Sequence, residues 1–397
     1  MADIQMRFHR DMLALTSPLS PVLRRQEFDT NDLAQAHFIE EDTLREGYRM
    51  LCASMAPVVV TETAKFLPAR LAHEGLSDKL PELARIALSI VNDFKPQHVL
   101  VELGESGLPL DPTSKTSLLE HRAQYERAGR AFEETGTFDA FLLFGFTSIT
   151  TLKCALMGLA KVSTKPIFAT VRVDEDGNLL RGAGLRNTNT GDANLHDTSA
   201  RDASYTGDAN LHDTGARDAS LRNTGARNAK GNKETLARAY EVMAEYGASV
   251  IGFQTSANTE HMFDMTKLAV ENYNLPVLVE VLAGDDVVSR SSARNSIRSN
   301  SRDRSEKYSD ASASSNISTS HDIPNKRSCA KATQSAGANL KSGTSSPYTS
   351  PRDMFDVAER MNNAGVQFLR AVGDATPAFA SALAASCAGV DVVREDV

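Results

Sequence analysis

The chain has 397 residues, 41% hydrophobic and 24% charged, with a formal net charge of −8. That composition is ordinary for a globular protein, and the net negative charge excludes a global attraction to nucleic acid or anionic membranes. No stretch approaches the roughly 18 apolar residues of a membrane span, and Met1–Arg10 lacks the apolar core of a signal peptide, so a cytoplasmic location is expected. Cys52, Cys154, Cys329 and Cys387 are scattered and form no CxxC pair. Reduced thiols are expected.

Short apolar runs alternate with amphipathic segments along the chain. Met12–Leu15 is the first strand candidate, followed by Pro57–Thr61, His98–Leu103, Ala140–Phe144 and Pro166–Val173. Ser249–Phe253, Pro276–Val281 and Val366–Arg370 complete the set. These runs are rich in β-branched and aromatic residues, as strands buried on both faces should be. Helical periodicity covers Leu80–Asn92, Leu118–Glu134, Ile149–Lys161, Lys233–Tyr246, Glu260–Asn272, Pro351–Asn363 and Pro377–Ala385. Regular alternation implies parallel strands with right-handed crossovers. The expectation is a single (β/α)8 TIM barrel spanning residues 1–397, with an open doubly wound sheet as the alternative. No GxGxxG turn follows any strand, which argues against a dinucleotide site.

Two segments depart from this pattern. Residues 184–230 contain TGDANLHDTSARDAS, repeated almost identically as TGDANLHDTGARDAS, and have balanced charge. Residues 289–346 are Ser-rich with interspersed Arg and carry a local charge of +6. Neither holds enough large apolar side chains to offset its ordering entropy, so both are expected to be disordered insertions. Neither an EF-hand nor a calcium-binding nonapeptide pattern occurs in the first. Arg–Ser alternation in the second can mark RNA contact, but a solvated loop is the favoured reading. Both insertions follow strands. They therefore fall in βα loops, on the face where barrel active sites lie.

The order of core segments resembles the homocysteine S-methyltransferase family, which includes the homocysteine-binding module of methionine synthase. Five stretches carry the resemblance: YRMLCASMAPVVVTETAKFLPARL, HVLVELGESGLPL, FDAFLLFGFTSITTLKCALMGL, YGASVIGFQTSANTEHM and AGVQFLRAVGDATPAFASAL. Together they span about 48–184, 234–284 and 350–383. The resemblance implies a barrel that transfers a methyl group to a small thiol or amino-acid substrate. It also implies a zinc ion held by three cysteines, which turns the substrate thiol into a nucleophilic thiolate. A corrinoid or folate methyl-donor protein is the implied partner.

The motif positions depart from the family at the metal. Thr255 stands at the first cysteine position, preceded by Gln254, and Val372 and Gly373 stand at the other two. These side chains cannot replace thiolates. Phe144–Gly145 replaces the family's Glu-Thr pair, and Leu282 replaces an asparagine. No HxxxH or HExxH spacing supplies an alternative metal site. Cys52, Cys154 and Cys387 read as small core residues, and His121 and His261 as solvated side chains on polar helix faces.

Chemistry on such a barrel comes from polar residues at the C-terminal strand ends. The residues so placed are Glu62, Glu102, Glu105, Arg172, Asp174, Gln254, Thr255, Glu280, Arg370 and Asp374. Among them Glu62, Glu102, Gln254, Thr255, Arg370 and Asp374 are the expected substrate-binding set. Glu62 and Glu102 suit a general base or an ammonium contact, and Arg370 a substrate carboxylate. The competing view is that they form ion pairs at the barrel mouth. Two functions follow. One is methyl transfer without the usual zinc site; the other is a non-catalytic barrel that binds a small molecule or docks on a corrinoid protein.

Overall fold

The computed structural model describes residues 3–135, 137–180, 234–284 and 346–389. Eight strands, β1 to β8, close into a barrel in chain order. They are Leu13–Leu15, Val58–Val60, His98–Leu103, Ala140–Phe146, Ile167–Arg172, Val250–Thr255, Val277–Ala283 and Phe368–Gly373. Every pairing is parallel, including the seam of β1 with β2 and β8. The doubly wound alternative is thereby set aside. The first strand is one residue shorter than expected, and β6 runs two residues further, so Gln254 and Thr255 lie inside it rather than after it.

The helices, α1 to α11, are Ser20–Arg25, Leu33–Ile39, Glu41–Cys52, Pro68–Ala72, Leu80–Asn92, Lys115–Glu133, Ile149–Ala160, Leu236–Glu245, Thr259–Asn272, Asp353–Asn363 and Pro377–Cys387. Their starts follow local chemistry. Side chains of Ser114, Ser148, Thr235 and Asn258 accept from the backbone N–H three residues on, at the starts of α6 to α9. This satisfies donors that a helix start leaves open. Proline occupies the first turn of α5 and α11, where its missing N–H costs nothing. Among the described residues no helix is long and apolar enough to cross a membrane.

Apolar residues sort into two cores by strand parity. Side chains such as Val59, Val99, Phe141, Ile251, Val279 and Leu369 point outward against the helices. Leu13, Leu15, Val58, Val60, Leu100, Leu142, Phe168, Val250, Leu278 and Phe368 point inward and fill the barrel. The alternation is the period of two that any strand imposes. The N-terminal segment seals the lower end. Phe8 meets Phe168 and Phe368 edge-on, at 6.0 and 5.9 Å between centroids. Gln367 holds it there by accepting from the N–H of His9 and donating to the carbonyls of Arg7 and Asp11.

The repeat at 184–230, and the Ser/Arg segment at 289–346 with Cys329 except for its last residue, lie outside the described residues. In the chain they fall between β5 and α8 and between β7 and α10. Both connections are βα loops on the C-terminal side of the barrel.

Candidate functional site

Parity and register together place a row of polar side chains at the upper end of the barrel. Across β5 to β8, Arg172 pairs with Gln254, Gln254 with Glu280, and Glu280 with Arg370. The row ends on Leu15 of β1, the register partner of Arg370. All four polar residues occupy inward positions, directly above the apolar interior.

Arg370 is the centre of a buried charge cluster. It is 1% exposed, yet it carries a guanidinium. Its Nη1 lies 2.7 Å from Glu102 Oε2 and donates to Glu280 Oε1 at 3.2 Å, while its Nε donates to the Thr16 carbonyl at 3.1 Å. The ring of Phe144 covers it at 5.2 Å. Glu280 is fully buried and also accepts from the Thr170 hydroxyl at 2.8 Å. Two carboxylates thus share one cation in a buried site, where an unpaired charge is costly.

That imbalance falls on Glu102. Its Oε2 sits close to Arg370 but receives no hydrogen bond along an N–H direction. Burial pushes the Glu102 carboxyl up to about 7, against the attraction of Arg370, and Glu62 and Glu280 add repulsion. Burial raises Glu280 too, with Arg370 as the main opposing influence. The cluster therefore holds an exchangeable proton near neutral pH.

A stability consequence follows. The folded pKa of Glu102 is raised above its ordinary value of 4.5, so the folded state binds more protons than the unfolded chain between the two. Its contribution is intact at low pH and is lost as pH rises toward 7. Replacing the group with an uncharged isostere, Glu102→Gln, should remove this dependence. Denaturant unfolding is expected to show the variant gaining about 2 kcal/mol on wild type between about pH 5 and about pH 8. A gap that stays constant with pH would contradict the assignment.

At the other end of the row, Arg172 donates from Nε to Gln254 Oε1 at 2.7 Å. The guanidinium lies against Gly145. A Cβ there would come within 2.9 Å of Gln254 Oε1 and 3.3 Å of Arg172 Nη2. Gly145 has φ +61 and interrupts the β4–β5 register between Leu143 and Phe146. Glycine is needed on both counts. Its N–H donates to Thr170 Oγ1 at 2.9 Å, tying the irregularity to the Glu280 partner.

The remaining expected residues lie elsewhere. Glu62 accepts from the backbone N–H of Leu19 at 2.8 Å and from the Ser20 hydroxyl, so it caps the start of α1. Asp374 pairs with Arg24, near the end of the same helix, at 2.5 Å. Both residues therefore fasten α1 to the barrel rim. Thr255 is fully buried and belongs to the outward series with Ile251 and Phe253; its hydroxyl accepts from the N–H of Ala257 at 3.1 Å. His121 corrects the sequence reading. It is 2% exposed, with Nδ1 3.1 Å from the Ser106 hydroxyl. It faces the β3–α6 loop, not solvent. Cys154 and Cys387 are buried, and Cys52 is partly buried. Burial pushes the thiols of Cys52 and Cys154 up to about 11.

Zinc does not fit the positions the resemblance assigns to it. Thr255 faces outward and Val372 offers only methyl groups. Gly373 has φ +80, with the Ala283 carbonyl 3.2 Å from where a Cβ would be. A side chain there would be strained as well as crowded. Among the described residues, no group of three or more His, Cys, Asp or Glu side chains is arranged to hold a metal ion.

Sequence reading did not single out Thr170 or Thr16. Thr170 sits at an inward position two residues before Arg172, and strand parity alone could have flagged it. Thr16 contributes a carbonyl, which carries no side-chain signature.

No protein-family model matches the sequence, and no curated protein matches it either. Solved structures do. The homocysteine methyltransferase MmuM from Escherichia coli is similar in its metallated form at 11% identity, with a TM-score of 0.57, covering 94% of this chain and 96% of that one. Its oxidized form matches at 12% identity and 0.55, covering 94% and 96%. Its apo form matches at 10% and 0.52, covering 95% and 96%. At such identities the likeness is one of fold: these structures share the closed TIM barrel formed by the described residues.

Proposed function

We propose that this chain is a homocysteine S-methyltransferase-like barrel that transfers a methyl group to a small thiol or amino-acid acceptor without a thiolate-bound zinc. The observation that carries the reading is the Glu102–Arg370–Glu280 cluster. It lies at the mouth end of the barrel and holds a carboxyl poised near neutrality. A base with a pKa near the working pH is suited to exchange protons with substrate. The acceptor S–H proton passes to the Glu102 carboxylate. The sulfur then attacks the methyl carbon of a positively charged donor. The carbon–donor bond breaks, and its electron pair stays on the donor, which leaves neutral. Arg370 keeps the cluster's charge matched while Glu102 changes protonation. The methyl group comes from a small donor or from a corrinoid or folate methyl-donor protein.

A second reading has its own support. Arg370 is already engaged by two carboxylates and a carbonyl, as in a structural ion cluster. On that reading the barrel binds a small molecule, or docks a corrinoid protein, without catalysis.

Purified full-length protein, treated with a chelator and analysed for metal, is incubated with homocysteine and with S-methylmethionine, betaine or methyl-cobalamin. Methylated product without zinc is expected, with Glu102→Gln at least about a hundredfold slower. Stoichiometric zinc that is required for activity would overturn the metal-free reading. No product with any donor would leave the binding reading in its place.

A further inference from the structure

We propose that Arg172 and Gln254 form a carboxylate-binding subsite at the mouth of the barrel. This inference rests on the mouth being the ligand site, as proposed above, but not on methyl transfer. Arg172 differs from Arg370 in how it is satisfied. Its Nε is engaged by Gln254 Oε1, yet neither of its Nη atoms has an acceptor among the described residues, and no carboxylate there comes within ion-pair distance. Gln254 is 2% exposed. Because its Oε1 accepts from Arg172, its amide orientation is set and its Nε2 carries the donors. Those donors also have no acceptor among the described residues. A buried amide and a half-buried guanidinium are thus locked side by side as a donor array. None of these donors is among the fully enclosed side-chain atoms without a partner, so the array is open to a ligand while its geometry is fixed.

The chemistry of the missing partner can be narrowed. A guanidinium with two free Nη groups matches the two oxygens of a planar carboxylate. The surroundings disfavour a dianion. Glu105 and Glu280 both act on the charge of Arg172, and Glu102, on β3, lies beside Arg370. Acidic groups therefore outnumber the two arginines at the mouth. Burial pulls Arg172 below its ordinary range despite Glu105 and Glu280, so a monoanion bound at Nη would offset a real desolvation cost. Glu105 does not fill the role itself. Its Oε1 is engaged by the N–H and hydroxyl of Thr147, at 2.7 and 2.9 Å. The space is also specific, because Gly145 removes the side chain that would press on Gln254 Oε1 and Arg172 Nη2.

The test titrates full-length protein by calorimetry with butyrate, butyramide and inorganic phosphate. Butyrate is expected to bind at least about tenfold more tightly than butyramide or phosphate. Arg172→Gln should weaken butyrate by about thirtyfold, and Gln254→Leu and Arg172→Lys by roughly tenfold, with butyramide unchanged. If Arg172→Gln fails to fold, Arg172→Lys and Gln254→Leu carry the comparison. Butyrate binding that is absent, matched by butyramide, exceeded by phosphate, or undiminished in the folded variants would overturn the subsite. Failure of the two proposals can be told apart. Methyl transfer with an unchanged KM in Arg172→Gln retires the subsite alone. Carboxylate binding without any transfer retires the transferase reading alone.

Discussion

Replacing Arg370 with methionine is expected to cost about 3–5 kcal/mol of folding stability at about pH 8, because it leaves two buried carboxylates without their cation. Methionine keeps much of the side-chain volume, so the loss reports charge rather than a cavity. Glu280 retains the Thr170 hydroxyl as a partner, whereas Glu102 retains no aligned donor. With Arg370 gone, the main influence opposing the burial that already raises both carboxyls is lost, so both take up protons at higher pH than in wild type. The deficit should therefore shrink at about pH 5. Urea unfolding at the two pH values checks the expectation. A pH-independent loss would mean that packing against Phe144, not charge, is the main contribution. Restoring balance in the double variant Glu102→Gln with Arg370→Met should recover part of the loss, since the sites are in contact and their effects couple.

Gly252→Ala is expected to be as damaging for a different reason. Gly252 faces the barrel interior opposite its register partner Leu278. A Cβ at position 252 would sit 2.1 Å from the Leu278 carbonyl oxygen and 3.0 Å from its carbon. The obstruction is backbone inside a parallel ladder, which cannot rotate away as a side chain would. Relief requires β6 and β7 to part, directly beneath the row that holds Gln254 and Glu280. The expected cost is about 3 kcal/mol or more, at the upper end for overpacking. Gly75→Ala is the control. That residue has φ +69 with nothing within 4 Å of the position a Cβ would take, so it isolates backbone strain of about 1–2 kcal/mol. Equal losses at the two positions, measured by denaturant unfolding, would show that the close approach is unimportant.

The barrel was legible because strands buried on both faces leave continuous apolar runs, and seven such runs are long enough to recognise. The N-terminal strand was found only as a way of closing the circle, since Leu13–Leu15 is three residues long. Helices α1, α2 and α4 went unanticipated for a related reason. With six, seven and five residues they span too few turns to establish a period. The polar strand-end residues could be named individually, but their pairings could not. Which carboxylate meets Arg370 depends on the offset between β7 and β8 and on the distance across the barrel to β3, and neither is encoded locally. The same limit applies to Glu62 and Asp374, whose partners lie on α1 or just before it. His121 failed as a solvent-facing prediction because its neighbours in sequence are polar, while its neighbour in space is the loop carrying Ser106.

The seam between β1 and β8 also bears on synthesis. Thr16 and Arg370 are separated by 354 residues, and Glu280 and Arg370 by 90. A ribosome therefore releases both acidic strands, and everything between them, well before the cation that neutralises them. Until then a nascent chain can assemble most of the sheet, but not its ionic keystone. Contacts of such long range form late and slowly. During that interval the cheapest state for Glu102 and Glu280 is protonated or solvated. Arrival of the last strand would close the cylinder and place the guanidinium in one event, so completion of the sheet coincides with completion of the site.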